Sequence, residues 1–518
     1  MSDRQGEHID ELSIDAPGAE EHLVLPWPLM LRERVRGRVS KSPRYHWLVL
    51  AAALFGLFSV GFTITILSVS VPRISEDLGS DASTVTWVVT GPILAFAIVG
   101  PAMGKLGDLY GHRRLFGIAM VAVAVFAALT AAAWSAATLI AFRVLGAAAG
   151  AAVGPASLAI INRLFPPDRR VQAMGYWSMV SAGGPVIGVV AGGPIVESFG
   201  WRWIFIGQVP LTLLGLLVAM LILPETDRRA ASRFDLPGAT ALAVGATSLL
   251  FAINRGPGFG WSHPAIVGGF ALAPVAIAAF VVIERRSSHP LLPLAYVSHR
   301  NFSFPVLSQA FMNFAYMGGF VITPLFLEGE FGYTESKVGT LMIARPLTFA
   351  IASPLAGYLT IRIGERYSAV MGGAFVSASM VMLSTLSPGS SDWVIIVSLA
   401  LSGVGVGCSS PALASSIANT VDDDDLGVAG AFHQMMTQFG VVVGIQIMQT
   451  VSEVRAERVG QVAAYGEAYT VGAVVSALAI VTSWFVVSRR RGEGAPEGAL
   501  DTSSGSETPE GSAAVSRR

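Results

Sequence analysis

The sequence predicts an all-α membrane protein with about fourteen transmembrane helices and both chain ends in the cytoplasm. Three observations lead there. The 518 residues are 53% hydrophobic and only 13% charged, about half the roughly 25% charge of soluble proteins, and mean hydropathy is +0.60. Apolar runs long enough to cross roughly 30 Å of hydrocarbon recur along the chain. Lys and Arg gather in alternate connections between those runs, the asymmetry that membrane insertion imposes.

Residues 1–46 are polar, acidic at first and then basic (Arg32, Arg34, Arg36, Arg38, Lys41 and Arg44), and read as a cytoplasmic segment. The apolar stretch 23–31 contains Pro26 and Pro28 and is too short to span, so it reads as a surface segment and not as a cleavable signal. Spans are expected near 47–71, 84–103, 115–134, 137–160, 174–196 and 203–223, forming a first six-helix half over 47–224. Residues 225–300 hold a linker and two extra spans near 238–254 and 264–283. A second half over 301–490 follows, with spans near 303–327, 337–360, 367–386, 393–418, 426–450 and 468–488. The tail 491–518, rich in Gly, Ser, Glu and Pro, is expected to be disordered.

This count places Lys105, Arg113, Arg114, Arg163, Arg169, Arg170, Arg228, Arg229, Arg233, Arg285, Arg286, Arg300, Arg362 and Arg366 in inner connections. Arg73, Arg202, Arg255, Lys337, Arg455 and Arg458 remain outside. An odd number of spans would strand one basic end outside, so the number is even.

Other classes are excluded by what is missing. A net charge of −1 gives no footing for nucleic acid or a polybasic anchor. The single Cys408 permits no disulfide within the chain, and the eight histidines show no HExxH spacing, so neither metal nor cofactor is expected. Gly100 and Gly104-Lys105 miss a phosphate loop by one residue, and Leu106 stands where Ser or Thr is required. The bilayer runs contain no cluster of His, Ser and carboxylates of the kind an enzyme needs.

The segment GKLGDLYGHRR (104–114) follows the second span, and a degraded echo, GYLTIRIGER (357–366), follows the tenth. Matched loops at matched places suggest related halves. Glycines there permit a tight turn, and Asp108 can meet the N–H groups of a helix start or an arginine fork. The fourth span carries Arg143 and then Gly146, Gly150 and Gly154; the fifth carries Gly184, Pro185, Gly188, Gly192 and Gly193. Small residues at this spacing let helices approach closely.

On these residues the chain resembles the major facilitator superfamily. The first loop is similar to the family signature Gly-x-Leu-x-Asp-Arg-x-Gly-Arg-[Lys/Arg]: Gly104, Leu106, Asp108, Gly111, Arg113 and Arg114 match, while Leu109 and His112 depart. Arg143 with its glycines resembles the fourth-helix arginine motif, and Gly184, Pro185 and Gly188 resemble the fifth-helix antiporter motif. Segments 201–210 (WRWIFIGQVP) and 234–239 (FDLPGA) resemble the fourteen-helix drug/proton antiporter branch. The resemblance covers roughly 45–490. It implies two six-helix halves with two extra central helices, a loop that latches the halves at the cytoplasmic face, and a monomer in the cell membrane. It also implies export of a lipophilic antibiotic or drug-like molecule in exchange for protons by alternating access.

The departures matter. In the stretch 62–72 (FTITILSVSVP), Thr63 stands where the branch carries a first-helix aspartate, and Ser68 where it carries an asparagine. Gly146-Ala147 replaces Gln-Gly, and Val189 interrupts the Gly-Pro-x-x-Gly-Gly run. The branch's coupling carboxylate is therefore absent.

Embedded ionisable groups are functional candidates by default. Arg143 and Arg345 are the two deep ones, either as working residues or as groups that order the bundle by pairing with a carboxylate or backbone carbonyls. Proton candidates are Glu197 at the end of the fifth span, Glu328 and Glu330 at the end of the ninth, and His433, which titrates near neutrality or serves packing. Thr63, Thr65, Gln208, Gln309, Asn313, Gln434 and Gln438 are candidates to line a central path. Two embedded arginines without the aspartate predict neutral or anionic cargo. The rival reading is an uptake symporter or lipid or metabolite transporter; the fifth-span glycine-proline pattern favours export, because in the family it marks antiporters.

Overall fold

A computed structural model describes residues 37, 41–63, 71–80, 82–85, 87–226, 235–287 and 290–488, and no strand occurs among them. Among the described residues the long helices lie near the expected spans. The first half contains α1 (Tyr45–Gly61), α2 (Trp87–Tyr110), α3 (His112–Ala131), α4 (Ala136–Leu164), α5 (Pro167–Phe199) and α6 (Arg202–Ile222). The extra pair is α7 (Leu236–Phe259) and α8 (Pro264–Arg286). The second half contains α9 (Arg300–Gly329), α10 (Ser336–Ile363), α11 (Glu365–Ser384), α12 (Asp392–Ala418), α13 (Leu426–Val459) and α14 (Gln461–Trp484). Among the described residues twelve are long and apolar enough to cross a bilayer; α1 is a shorter apolar helix of 17 residues, and α5 runs for 33. The expected surface segment 23–31, Thr65, Ser68 and the tail 491–518 lie outside the described residues.

Local chemistry sets the helix starts. Ser135 caps α4 in a reciprocal box with Thr138, and Asp235 caps α7 ahead of Pro237 in its first turn. Lipid-facing positions stay apolar, as at Leu213, Leu214 and Leu217 on α6 and Val267 and Val275 on α8.

One expectation needs correction. Segments 104–114 and 357–366 are not loops: residues 104–110 and 357–363 continue α2 and α10, and only Gly111 and Gly364 break the helix. Lys105 and Asp108 look too polar for a span, but both are buried against the second half, so the helix runs on past the apolar stretch. Gly104 accordingly serves close packing, not turning. A Cβ there would collide with the Gly427 carbonyl oxygen and stand 2.7 Å from Ala431 Cβ.

The echo between halves is physical. Gly111 and Gly364 both adopt positive φ, 96° and 86°, and both link one span directly to the next. Gly104 presses on α13 of the other half, while its counterpart Gly357 presses on α5, where a Cβ would stand 2.9 Å from the Val171 carbonyl oxygen. Arg113 donates to the Met220 carbonyl at the end of α6, and Arg366 donates to the Val486 carbonyl just after α14 at 2.6 Å. The α2–α13 and α5–α10 crossings are thus related pairs. All these contacts lie at one end of the bundle, where the even-numbered helices finish; the Lys and Arg asymmetry predicts this to be the inner end. The extra hairpin packs along the α2–α13 side: Leu250 and Ile253 of α7 meet Leu94 of α2 and Phe439 and Val442 of α13.

Gly111→Ala should destabilise the protein by about 1–3 kcal/mol, because an alanine there is held in a disfavoured backbone region. Gly207→Ala, facing open space on α6, is the control. Thermal inactivation in detergent checks this: a lower midpoint for Gly111→Ala alone is expected, and equal midpoints would contradict it.

Candidate functional site

Asp108, on the last turns of α2, is 2% exposed. Its Oδ1 accepts from Gly427 N at 3.1 Å and its Oδ2 from Val428 N at 3.0 Å. These are among the first N–H groups of α13, which have no partner within their own helix and sit at the positive end of its dipole. The carboxylate therefore completes a helix start that belongs to the other half. His112 Nε2 lies 2.9 Å from Asp108 Oδ1, and Arg163 Nη2 approaches it to 3.9 Å. The residue that departs from the family signature thus still binds the aspartate.

A second ring of contacts surrounds this one. Arg170 on α5 reaches Asp423 at 3.2 Å, and its Nη1 donates to the Ala418 carbonyl and Asn419 Oδ1, each at 3.1 Å. Arg163 Nε donates to the Asp423 carbonyl at 3.0 Å, and Lys105 Nζ stands 3.9 Å from Asp425 Oδ1. The Tyr296 hydroxyl donates to Asp422 Oδ2 and Asp425 Oδ2, each at 3.0 Å. Burial holds that hydroxyl above its ordinary pKa, so it stays a donor. On the opposite side Tyr176 of α5 meets Tyr358 of α10, hydroxyl to hydroxyl, at 3.2 Å. At the far end, by contrast, Arg202–Asp77, Lys337–Asp392 and Arg455–Glu467 each pair within one half. The Arg202 and Trp201 side chains donate to Asp77 and hold its carboxyl below the usual range. The halves are clasped at the inner end.

The intramembrane candidates fall into separate places. Arg143 donates to the Val88 carbonyl at 3.4 Å and the Thr63 carbonyl at 3.2 Å, with its guanidinium 5.4 Å from the Phe205 ring centre, so the structure brings Arg143 and Thr63 together inside the first half. Arg345 is fully buried in the second half; it donates to Ser402 Oγ at 2.6 Å and the Tyr316 carbonyl at 2.7 Å. Among the described residues neither arginine has a carboxylate partner. Gln208 donates to the Ser59 carbonyl at 3.3 Å, Gln309 to Ser410 Oγ at 2.9 Å, and Asn313 to the Gln309 carbonyl at 2.9 Å. Gln438 is half-buried on α13. Gly184 lies against α1, where a Cβ would meet Phe58 at 3.5 Å and Phe62 N at 3.8 Å. The side chains at Pro185, Gly188 and Glu197 lie outside the described residues.

His433 is the candidate that reaches the boundary between halves. With Leu158 and Asn162 of α4 and Ala414 of α12 it lines a void of about 10 Å³ just above the latch, about the space of one water-sized probe. His433 Nε2 and Asn162 Oδ1 have no hydrogen-bond partner among the described residues. Sequence reasoning missed the latch's partners. Their one visible signal was the run of four aspartates, 422–425, in an inner connection rich in arginine across the bundle.

Comparisons with known proteins agree with this architecture. The Major Facilitator Superfamily model matches residues 53–325 and 305–512. A puromycin resistance protein of Streptomyces alboniger is 30% identical over 490 residues, 90% of this chain and 95% of that one. A tetracenomycin C resistance and export protein of Streptomyces glaucescens is 29% identical over 422 residues, 80% and 77% of the two chains. Among solved structures, the human organic anion transporter MFSD10 aligns with a TM-score of 0.63 at 16% identity, over 86% of this chain and all of its own. The proton:xylose symporter XylE also reaches 0.63, at 15% identity over 86% of this chain and 96% of its own. At those identities the likeness is one of fold.

Asp108→Asn removes the charge from both bonds to α13, each charge-assisted bond contributing about 1.5–3 kcal/mol. In a Cys408→Ala background, Leu158→Cys at the closed interface should then react at least about tenfold faster with a maleimide offered from the inner side. Unchanged labelling would contradict the latch.

Proposed function

The chain belongs to the major facilitator superfamily, and on that premise we propose that it is a secondary active exporter of a lipophilic antibiotic or drug-like molecule, driven by proton antiport through alternating access. The observation that carries the reading is the set of polar and glycine-mediated contacts that join the halves at one end. Two related helix pairs, α2–α13 and α5–α10, meet through Gly104 and Gly357 at the inner end, while the described ion pairs at the far end stay within a half. Contacts of this kind across the boundary at one end fit one of the two states alternating access requires. Relatives named for puromycin resistance, tetracenomycin C export and multidrug transport support the cargo class.

The inner end, with its excess of Lys and Arg, faces the cytoplasm of a cell-membrane protein with both termini inside. Three bodies divide the chain in this reading: residues 47–224, the extra pair within 225–300, and 301–490. The working unit is the monomer, with no cofactor. Parting the halves at the inner end pulls Asp108 from α13 and opens the boundary at His433, which then meets water and exchanges a proton in place of the missing first-helix carboxylate. Glu197 remains a second proton candidate at the outer end of α5. Arg143 and Arg345 keep each half's interior positive. That excludes lipophilic cations and admits neutral or anionic cargo past Gln208, Gln309, Asn313 and Gln438.

The test is accumulation of anionic, neutral and cationic antibiotics in expressing cells, with and without a protonophore. Reduced accumulation of anionic or neutral compounds, restored by the protonophore and lost in His433→Gln, is expected. Selective export of cations would overturn the charge argument, and accumulation above background would turn the reading to uptake.

A further inference from the structure

The void beside His433 is walled by three helices drawn from both halves. Asn162 comes from α4, Ala414 and Ala418 stand four apart on α12, and Leu426, Ala429 and His433 follow one stripe of α13. Gly430 lets α13 close on α4, since a Cβ there would stand 3.1 Å from Leu158 Cδ1. Of the residues that line the void, only Asn162 and His433 carry polar side-chain atoms. They are 4% and 7% exposed. Asn162 Oδ1 and His433 Nε2 have no hydrogen-bond partner among the described residues.

A buried polar atom without a partner forfeits the hydrogen bond that water would give it, and proteins rarely leave two such atoms at one place. These two come from opposite halves, so the pair exists only where the halves meet. The void of about 10 Å³ has room for one water, which needs two to four polar partners. Asn162 Oδ1 accepts, and His433 Nε2 accepts or donates according to its tautomer. One water serves both: it donates a hydrogen to Asn162 and turns its second hydrogen or a lone pair to His433. Exchanging the two ends of the amide would put a donor in the same place, which the water accepts equally. The latch holds the walls. Arg170 Nε donates to the Asn162 carbonyl at 2.8 Å and its Nη1 to the Ala418 carbonyl at 3.1 Å. Leu426 directly precedes Gly427, whose N–H meets Asp108. Parting the halves dismantles the enclosure.

We propose that this void is a single-water site, in which one water bridges Asn162 of the first half to His433 of the second, and that Asn162 is the positioning residue that holds it. The site rests on the alternating-access reading. In the clasped state the bridge occupies His433 Nε2 and satisfies both atoms at once, so it favours closure. On opening, bulk water takes its place on each side, and Nε2 is released for proton exchange. The joint is therefore polar, specific to the closed state, and made without a direct contact between the two side chains.

The experiment uses the full chain in a Cys408→Ala background, spin-labelled at Tyr110→Cys on α2 and Tyr367→Cys on α11, both exposed, and reads the open-to-clasped ratio from the distances between them. Asp108→Asn is present throughout, to weaken the latch and bring both states into range. A bridging water predicts that Asn162→Leu and His433→Leu each raise the ratio at least about fivefold, because each strips the water and orphans the remaining atom. Two atoms with no water between them predict the opposite sign: each replacement removes an unpaired group, and the ratio falls. The double variant should open less than either single one, since no orphan is left. His433→Gln, which keeps a polar tip, should open less than His433→Leu. A ratio that falls or stays constant in either single variant, or effects that add in the double variant, overturns the site. A structure of the clasped protein fine enough to show ordered water tests it without any variant: one water within hydrogen-bonding distance of both atoms, about 3.2 Å, is expected, and a void without it overturns the proposal. Absence of an open population in Asp108→Asn overturns the alternating-access reading and the bridge's role in it, while the water itself still answers to that structure.

Discussion

One carboxylate at the start of a foreign helix organises this bundle. Asp108 is buried, and an unpaired buried charge costs several kcal/mol. His112 and Arg163 approach Asp108 from its own half, and two hydrogen bonds come from across the boundary, from the Gly427 and Val428 N–H groups. Those two bonds form only if α2 runs past the apolar stretch, if glycine at 104 lets the backbones touch, and if α13 begins at the same depth. Gly427 shares the constraint: a Cβ there would strike the His112 ring and approach Asp108 Oδ1 to 2.6 Å. The same dependence makes the latch reversible. Once the halves part, the carboxylate and the exposed N–H groups can each find water as a partner, and no covalent bond has to be broken.

Duplication explains the geometry, and its breakdown explains the chemistry. Gly104 and Gly357, Gly111 and Gly364, and Arg113 and Arg366 occupy matched positions and do matched work. Asp108 has no such counterpart, because Ile361 stands at the matching place. The α2–α13 crossing is therefore charged and responsive to its surroundings. The α5–α10 crossing is closed by glycine, by Tyr176 with Tyr358, and by close van der Waals contact. The extra hairpin packs beside the charged crossing, Leu250 and Ile253 of α7 meeting Leu94 of α2 and Phe439 and Val442 of α13.

The helices were legible because hydrocarbon demands long apolar runs, and that demand is written residue by residue. The limits of α2 were not, since Lys105 and Asp108 look like loop residues until their partners are known. Those partners could not be read: Gly427 lies 319 residues from Asp108 and contributes only a backbone N–H, which no side chain announces. Arg143 and Arg345 were found as embedded charges, yet their carbonyl partners at Val88, Thr63 and Tyr316 carry no signature either. The acidic run 422–425 was visible, and its meaning depended on which arginines the fold would bring to it.

The account's central claim is that the inner crossings must separate for transport to occur. Its most direct test is to bridge Tyr176→Cys and Tyr358→Cys, whose native hydroxyls are 3.2 Å apart, with a short cleavable bifunctional reagent in a Cys408→Ala background. A reagent is preferred because two long side chains that meet at their tips place their backbones too far apart for a disulfide. Loss of export on bridging, with recovery when the bridge is cleaved, is the predicted result. Export at the unbridged rate by fully bridged protein would contradict it.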